Sequence, residues 1–249
     1  MRWSAQSSRG LVRSDNEDSW IVRALGNHDL WLAMVADGIG GYDGGEVAST
    51  MAVKICADYI LALPRDNPET ALGEAFIHSN RLVLEAGLGK DGFPGMGTTL
   101  TVALVKEKEG RVYVGHVGDS RAYIVSGSKI RQITDDHSVT GELVRNGSIS
   151  EEEAMSHPGR NVLTRALGTQ DSLVASIYSE TLRPGDILLL CTDGLTSLVN
   201  SKEIVDLINN SPREEAAEAL VEAANSRGGY DNTTVILLWP DVLVSADER

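Results

Sequence analysis

Apolar residues recur at every second position, or run unbroken, at Ser19 to Ala24, Leu30 to Ala36, Thr99 to Val105, Arg111 to Val117, Arg121 to Val125, Lys129 to Ile133, Ile187 to Cys191 and Thr234 to Trp239. Side chains on a strand alternate between its faces, so each run is predicted to be a strand with one or both faces buried. "KEKEG" from Lys106 and "VSGSK" from Val125 are short polar connections with glycine, which predicts antiparallel pairing. A helical period appears between Glu46 and Leu61, where Val47, Met51, Ile55 and Tyr59 fall four apart, and again after "NPET" through Leu72, Phe76, Val83 and Leu84. These two helices are expected to pack as a pair. Near the end of the chain "SPREEAAEALVEAA" predicts a helix with Ser211 as N-cap, Pro212 at the first helical position, Glu214 completing a capping box and Gly228 as the stop. The polar stretch from Thr140 to Asn161 lacks a strong period and carries its own capping box in Ser150 and Glu153, so it reads as a partly helical surface excursion. No repeat or low-complexity linker divides the chain, and the polar end "VSADER" is expected to fray.

The pattern is broken where three apolar runs meet an aspartate. "WLAMVADGIGG" reaches Asp37 with Gly38, Gly40 and Gly41 behind it, "VYVGHVGDS" reaches Asp119, and "DILLLCTDG" reaches Asp193 and Gly194. A single Asp-Gly is an ordinary turn pair. Repeated at neighbouring strand ends, with glycines that let the backbone come close, the pattern gathers carboxylates whose repulsion is offset by bound cations. Asp231, where "GGYDNTTVILLW" enters the last strand, joins the set. Oxygen-only ligands select hard ions such as magnesium or manganese over zinc. "GLVRSDNEDSW" crowds Arg13, Asp15, Asn16, Glu17 and Asp18 ahead of the first of these runs. Arg13 has two readings there, a salt bridge or a planar fork for a pair of anionic oxygens such as those of phosphate.

Composition narrows the field. The chain has 249 residues, 42% of them hydrophobic, enough for one large domain with a substantial core. A net charge of -14 and a pI near 4.7 argue against a broad surface for nucleic acid or anionic lipid and leave carboxylates for cations. No run approaches the roughly 20 apolar residues of a membrane span, and "MRWSAQSSRG" lacks a signal peptide's apolar segment, so a soluble, cytoplasmic protein is expected. Cys56 and Cys191 sit among apolar neighbours without metal-ligand spacing and read as small buried hydrophobes.

Taken in order, Arg13, Asn16, Glu17 and Asp18, then Val35 and Asp37 through Gly41, Gly97 to Thr99, Val117 to Arg121, Asp136 to Ser138, Leu190 to Gly194, and Asp231, Asn232 and Thr234 form a series of short motifs. The series resembles the metal-dependent serine/threonine protein phosphatases of the PPM (type 2C) family, bacterial type, from about Gly10 to Trp239. The resemblance implies an α+β fold, a four-layer α-β-β-α sandwich of two mainly antiparallel sheets flanked by helix pairs, with a flap subdomain. It implies a single catalytic domain over residues 1–241, its flap at 140–161 beside the cleft and influencing substrate choice, and a polar tail at 242–249. Asp37 would bridge two Mn2+ or Mg2+ ions, the Gly38 carbonyl would ligate the first, Asp193 and Asp231 would hold the second, and Asp119 with Asp193 would bind a weaker third. Glu17 and Asp18 would act through metal-bound waters, Asn232 would support the site, and Arg13 would grip the substrate phosphate. The implied activity is hydrolysis of phosphoserine and phosphothreonine in proteins by a metal-bridged water, with Asp37 and Arg13 as the catalytic pair and no protein nucleophile. The implied partners are phosphorylated proteins, a Ser/Thr kinase among them, in opposition to kinase signalling. A monomer without nucleic-acid binding or membrane insertion is expected.

One position departs from many eukaryotic relatives, which carry a histidine in the Asp-Gly loop where this chain has Ile39. Isoleucine cannot donate a proton to the leaving alkoxide, so a metal-bound water is the first candidate acid. His137 is the second, with loop orientation as its competing role; His28, His78, His116 and His157 have no spacing that recommends them. Two alternatives share part of this reading. A pseudophosphatase that binds phosphoprotein without turnover would lack a metal aspartate, and Asp37, Asp193 and Asp231 are all present. A two-metal phosphodiesterase would use the same ions, and the acidic balance argues against its substrates. A cysteine phosphatase needs an arginine six residues after its nucleophile, where Cys191 is followed by Ser197. "GLGKDG" at Gly87 matches a dinucleotide loop but follows a helical pattern instead of a strand, and "NTT" at Asn232 is an idle glycosylation match.

Overall fold

Strand alternation sorts the apolar side chains onto two stacked sheets. In this computed structural model, residues 1–26, 29–40, 44–62, 67–89 and 92–240 are described; His28, Gly41 and the expected tail 242–249 lie outside them. In one sheet β1 (Arg2–Ser8) pairs with β11 (Thr233–Trp239), followed by β10 (Ile187–Cys191), β7 (Arg121–Ser126) and β8 (Lys129–Gln132). The other runs β2 (Asp18–Leu25), β3 (Leu30–Ile39), β5 (Leu100–Lys106), β6 (Arg111–Val117) and β9 (Ser176–Thr181), with β4 (Gly97–Thr98) beside the end of β3. All the strand pairs are antiparallel.

The register decides which layer each residue enters. On β3, Ala33 and Val35 join Leu188 and Leu190 of β10 and Ile236 and Leu238 of β11 between the sheets. Leu32 and Met34 point the other way, into α1 (Gly44–Ala62) and α2 (Pro68–Leu88). Leu189 and Cys191, with Val235 and Leu237, face α6 (Ser201–Asn210) and α7 (Ala216–Ser226). The result is the four-layer α-β-β-α sandwich. A fully buried leucine contributes about 1.5–3 kcal/mol, and a one-residue slip would exchange the two faces of a strand, so the cores fix the register. Cys56 and Cys191 lie in different cores, and burial pushes both thiols up to about 12.

The surface excursion is confirmed as two short helices, α3 (Val139–Arg145) and α4 (Glu151–Ser156), the latter with the Ser150–Glu153 capping box. Its base is closed by a bond from the Val139 N–H to the Val162 carbonyl, 2.9 Å. Among the described residues no helix is long and apolar enough to cross a membrane.

Three expectations need correction. Ser211 ends α6 as its C-cap, and α7 begins only at Ala216, with no side-chain cap at Glu215; Pro212 to Glu215 form a turn closed by Glu215 N–H to Pro212 O, 3.0 Å. Strand β3 does not stop at Asp37 but continues to Ile39, because Gly38 and Ile39 pair with Thr98 and Gly97. The sequence pattern missed β1 and β9, which are sheet edges and carry polar residues on their open faces.

Candidate metal centre

The pairing of β2 with β3 sets Asp18 directly across from Asp37. In the facing sheet, Asp193 follows the end of β10 and opens the short helix α5 (Asp193–Thr196), and Asp231 precedes the start of β11. The sheets are stitched together here: the buried Asp18 carboxylate accepts from Thr192 Oγ1 at 2.9 Å and Thr234 Oγ1 at 2.7 Å through its Oδ2. Its other oxygen, Oδ1, is buried with no partner, as is Oδ1 of Asp193.

Asp37 is gripped by its backbone. Its N–H donates to Thr99 Oγ1 at 2.8 Å, and its carbonyl accepts from Thr98 Oγ1 at 2.8 Å and the Thr99 N–H at 2.9 Å. Thr99 Oγ1 also bonds Ser120 Oγ at 2.7 Å, which ties the Asp37 strand to the loop holding Asp119. That is the structural work of the Gly97–Thr99 motif. Gly38 runs so close to Gly45 of α1 and to the Glu17 carbonyl that a Cβ could not be accommodated.

The carboxylates act on one another. Burial first, then the charges of Asp18, Asp193, Asp119 and Asp231, hold the Asp37 carboxyl well above the usual range. Asp193 is raised to about 6 by burial and Asp231, offset partly by a hydrogen bond with Asp37. Asp18 is raised to about 7 by burial, against the pull of its two threonine bonds, with Asp193 and Asp231 adding to the rise. Asp119 lies well above the usual range through burial, Asp193 and Asp136, and Arg121 offsets part of this. Arg121 is itself locked onto Asp136, Nε to Oδ1 at 2.9 Å and Nη2 to Oδ2 at 2.6 Å.

Asn232 is the clasp of the loop leading into β2. Its Oδ1 accepts from the Glu17 N–H at 2.8 Å, and its Nδ2 donates to the Arg9 and Asp15 carbonyls, each at 2.9 Å. The loop thereby presents Arg13, whose Nη2 pairs with Asp231 Oδ2 at 2.8 Å, the two side chains being 49% and 33% exposed. Glu17 is raised by partial burial, with Arg13 working against the rise.

These residues fit a cation site by chemistry. Among the described residues no three carboxylate, imidazole or thiol groups already close around one point as a finished ligand set. Asp37 and Asp193 nonetheless stand within hydrogen-bond reach, which two carboxylates tolerate only by sharing a proton or a cation. The unpartnered oxygens of Asp18 and Asp193 make the same demand.

His137, read in the sequence as a second candidate acid or as a loop brace, has the contacts of a brace. It is buried, its pKa is lowered to about 4 by that burial and by Arg165 and Arg145, and its ring braces a loop. Its Nδ1 lies 3.3 Å from the Gly118 N–H, and its Nε2 lies 3.0 Å from Ser176 Oγ and 3.4 Å from Arg165 Nη1. His116, passed over in the sequence, stacks on it at 4.8 Å and bonds Thr101 Oγ1 at 2.9 Å. Thr192, Thr234 and Asp136 were also overlooked; all three sit inside the quoted motifs, beside or between residues that were named. Ile39 is partly exposed on β3 and supplies no acid.

The protein phosphatase 2C family model matches residues 7–235. The chain belongs to that family. It is 37% identical to the serine/threonine phosphatase stp of Listeria welshimeri, over 94% of this chain and 93% of that protein. The solved Mycobacterium tuberculosis serine/threonine phosphatase PstP/Ppp superposes with a TM-score of 0.85 at 35% identity, covering 95% of this chain and 97% of that one. A second structure, the PstP catalytic domain in complex with two manganese ions, gives a TM-score of 0.83 at 34% identity over 95% and 96% of the two chains.

Proposed function

We propose that the protein is a metal-dependent protein phosphatase that hydrolyses phosphoserine and phosphothreonine in proteins. The observation that carries this is the convergence of half-buried carboxylates from both sheets, each raised by desolvation and by the others, in a chain of the protein phosphatase 2C family. Asp37, the Gly38 carbonyl, Asp193 and Asp231 would hold two core Mn2+ or Mg2+ ions, and Asp119 with Asp193 would take a weaker third. When bound, the cations supply Lewis-acid chemistry and the nucleophile for in-line displacement at phosphorus.

The chain's own groups do the rest. Arg13, released from Asp231, offers its planar fork to two phosphate oxygens and neutralises charge as it redistributes in the transition state. Asp18 and Glu17 accept hydrogen bonds from water at the centre, and Asn232 holds the loop that aims Glu17 and Arg13. Ile39 and His137 leave the departing alkoxide without a side-chain acid, so its proton comes from water ordered by the carboxylates.

The catalytic domain spans residues 1–241, with a flap at 140–161 that bears on substrate choice and a polar tail at 242–249. The protein works as a monomer in the cytoplasm on phosphorylated proteins, a Ser/Thr kinase among them, and neither binds nucleic acid nor inserts into a membrane. The deciding experiment is release of phosphate from a phosphothreonine peptide. It should require added manganese or magnesium and stop with excess EDTA; full activity in metal-free protein would overturn the reading.

A further inference from the structure

The loops that carry Arg13 and Asp231 also carry three large apolar side chains in water. Leu11 is 69% exposed, Val12 64% and Tyr230 63%. Isolated exposed leucines need no explanation, but three grouped beside a charged pair form a patch. The patch is built rigidly. The Leu11 N–H donates to the Gly229 carbonyl at 2.8 Å, joining the two loops by backbone. Gly10 at φ +77 and Gly229 at φ +51 adopt left-handed conformations where a side chain would strain the chain. The Leu11 side chain sits against Gly229, and the Tyr230 ring lies back over Gly228. Asn232 fixes the same loop from beneath, through the Arg9 and Asp15 carbonyls.

We propose that Leu11, Val12 and Tyr230 form a specificity subsite that takes an apolar side chain next to the phosphorylated residue of a peptide. The proposal rests on the phosphatase reading of the adjoining centre. Val12 is the immediate neighbour of Arg13, and Tyr230 of Asp231. An extended peptide advances about 3.3 Å per residue, so a side chain one or two positions from a phosphate held by Arg13 reaches the patch. The same loops carry Asp15, Glu17 and Asp231 along with Arg9 and Arg13, and the chain carries -14 overall, so a flank that gains by apolar contact rather than by charge is the one the patch rewards.

The test compares two phosphothreonine peptides of equal length and charge, flanked on both sides by leucine in one and by serine in the other, with an aryl phosphate alongside. The manganese-loaded protein should favour the leucine peptide about tenfold in kcat/KM, the ratio expected from burying roughly half a leucine side chain. High salt should leave the ratio intact, because an apolar contact is not screened. Leu11→Ser combined with Tyr230→Ser should bring it near unity, and Val12→Ser alone, at a solvent-facing position that does not endanger folding, should lower it partway. Equal rates on the two peptides, a ratio that survives in the double variant, or one that vanishes in salt would each overturn the subsite while leaving the phosphatase reading intact. Failure on both peptides and on the aryl phosphate would overturn the phosphatase reading, and the subsite with it.

Discussion

Replacing Asn232 by alanine should loosen the loop that presents Arg13 and Glu17. Asn232 is buried and makes three hydrogen bonds to backbone groups of that loop, to Glu17, Arg9 and Asp15. Each such bond is worth about 1 kcal/mol net, and the freed groups lie near enough to the surface for water to reach them, so the loss totals about 3 kcal/mol. In a domain of this size one kcal/mol moves the melting temperature by about 2–4 °C, giving a fall of roughly 6–12 °C. Asn209→Ala is the control, because it removes one exposed bond, Nδ2 to the Gly127 carbonyl at 2.9 Å, and should shift melting by no more than about 2–3 °C. Both variants would be melted by circular dichroism in EDTA and in manganese, and their phosphopeptide kinetics compared. An Asn232→Ala protein that melts within about 1 °C of the parent would refute the clasp.

The remaining predictions concern charge. Arg13→Ala should change stability by less than about 1 kcal/mol, since its ion pair with Asp231 is half exposed, while phosphopeptide kcat/KM falls roughly a hundredfold; a destabilised variant with normal kinetics would reduce Arg13 to a salt bridge. Asp37→Ala should abolish the two tight manganese sites in calorimetry, whereas Asp119→Ala should keep them and lose more turnover on phosphopeptides than on aryl phosphates; loss of the tight sites in Asp119→Ala would show the ligand assignment to be wrong. Acid should act differently on the two forms. His116 and His137, at about 3 and about 4 when folded, stay neutral while the unfolded chain protonates below about 6.5, so they remove stability as pH falls through that window. Asp18 and Asp193, raised to about 7 and about 6, bind protons on folding and add stability over much of the same range, offsetting the histidines in metal-free protein. Manganese holds those carboxylates ionised, so the loaded protein should lose melting temperature faster between about pH 6.5 and 5. Equal slopes would contradict the carboxylate shifts.

The layers were legible in the sequence because alternation and period are local. The runs at Arg111 to Val117 and Ile187 to Cys191 became strands with the same bounds, since each is buried and its pattern is undiluted by solvent. Edge strands β1 and β9 escaped because half of their surface answers to water and the pairing partner, a distant segment, supplies the order. Helix α6 escaped the sequence reading although Asn200 and Glu203 form a capping box there, and the helix read from Ser211 starts later, as α7 at Ala216. The aspartates stood out as polar residues at the ends of apolar runs. Their supports did not, because a threonine that bonds a carboxylate across two sheets has the same local appearance as a threonine in any strand.

That difference follows from how the centre is assembled. Asp18 and Asp37 face each other within one sheet, a relation fixed by hairpin register and therefore nearly local. Asp193 and Asp231 flank the pair β10 and β11 in the other sheet. Distances between the two sets depend on how the sheets stack, and that stacking is fixed at the site by Thr192 and Thr234 reaching across to Asp18. The burial and mutual repulsion that raise Asp37, Asp119 and Asp193 would favour splaying the sheet ends apart, and the Asp18 bonds resist it. Folding thus holds these carboxylates in a cluster whose mutual repulsion cations would relieve. The polar links across the sandwich are what let sheet packing hold the carboxylates together against their repulsion.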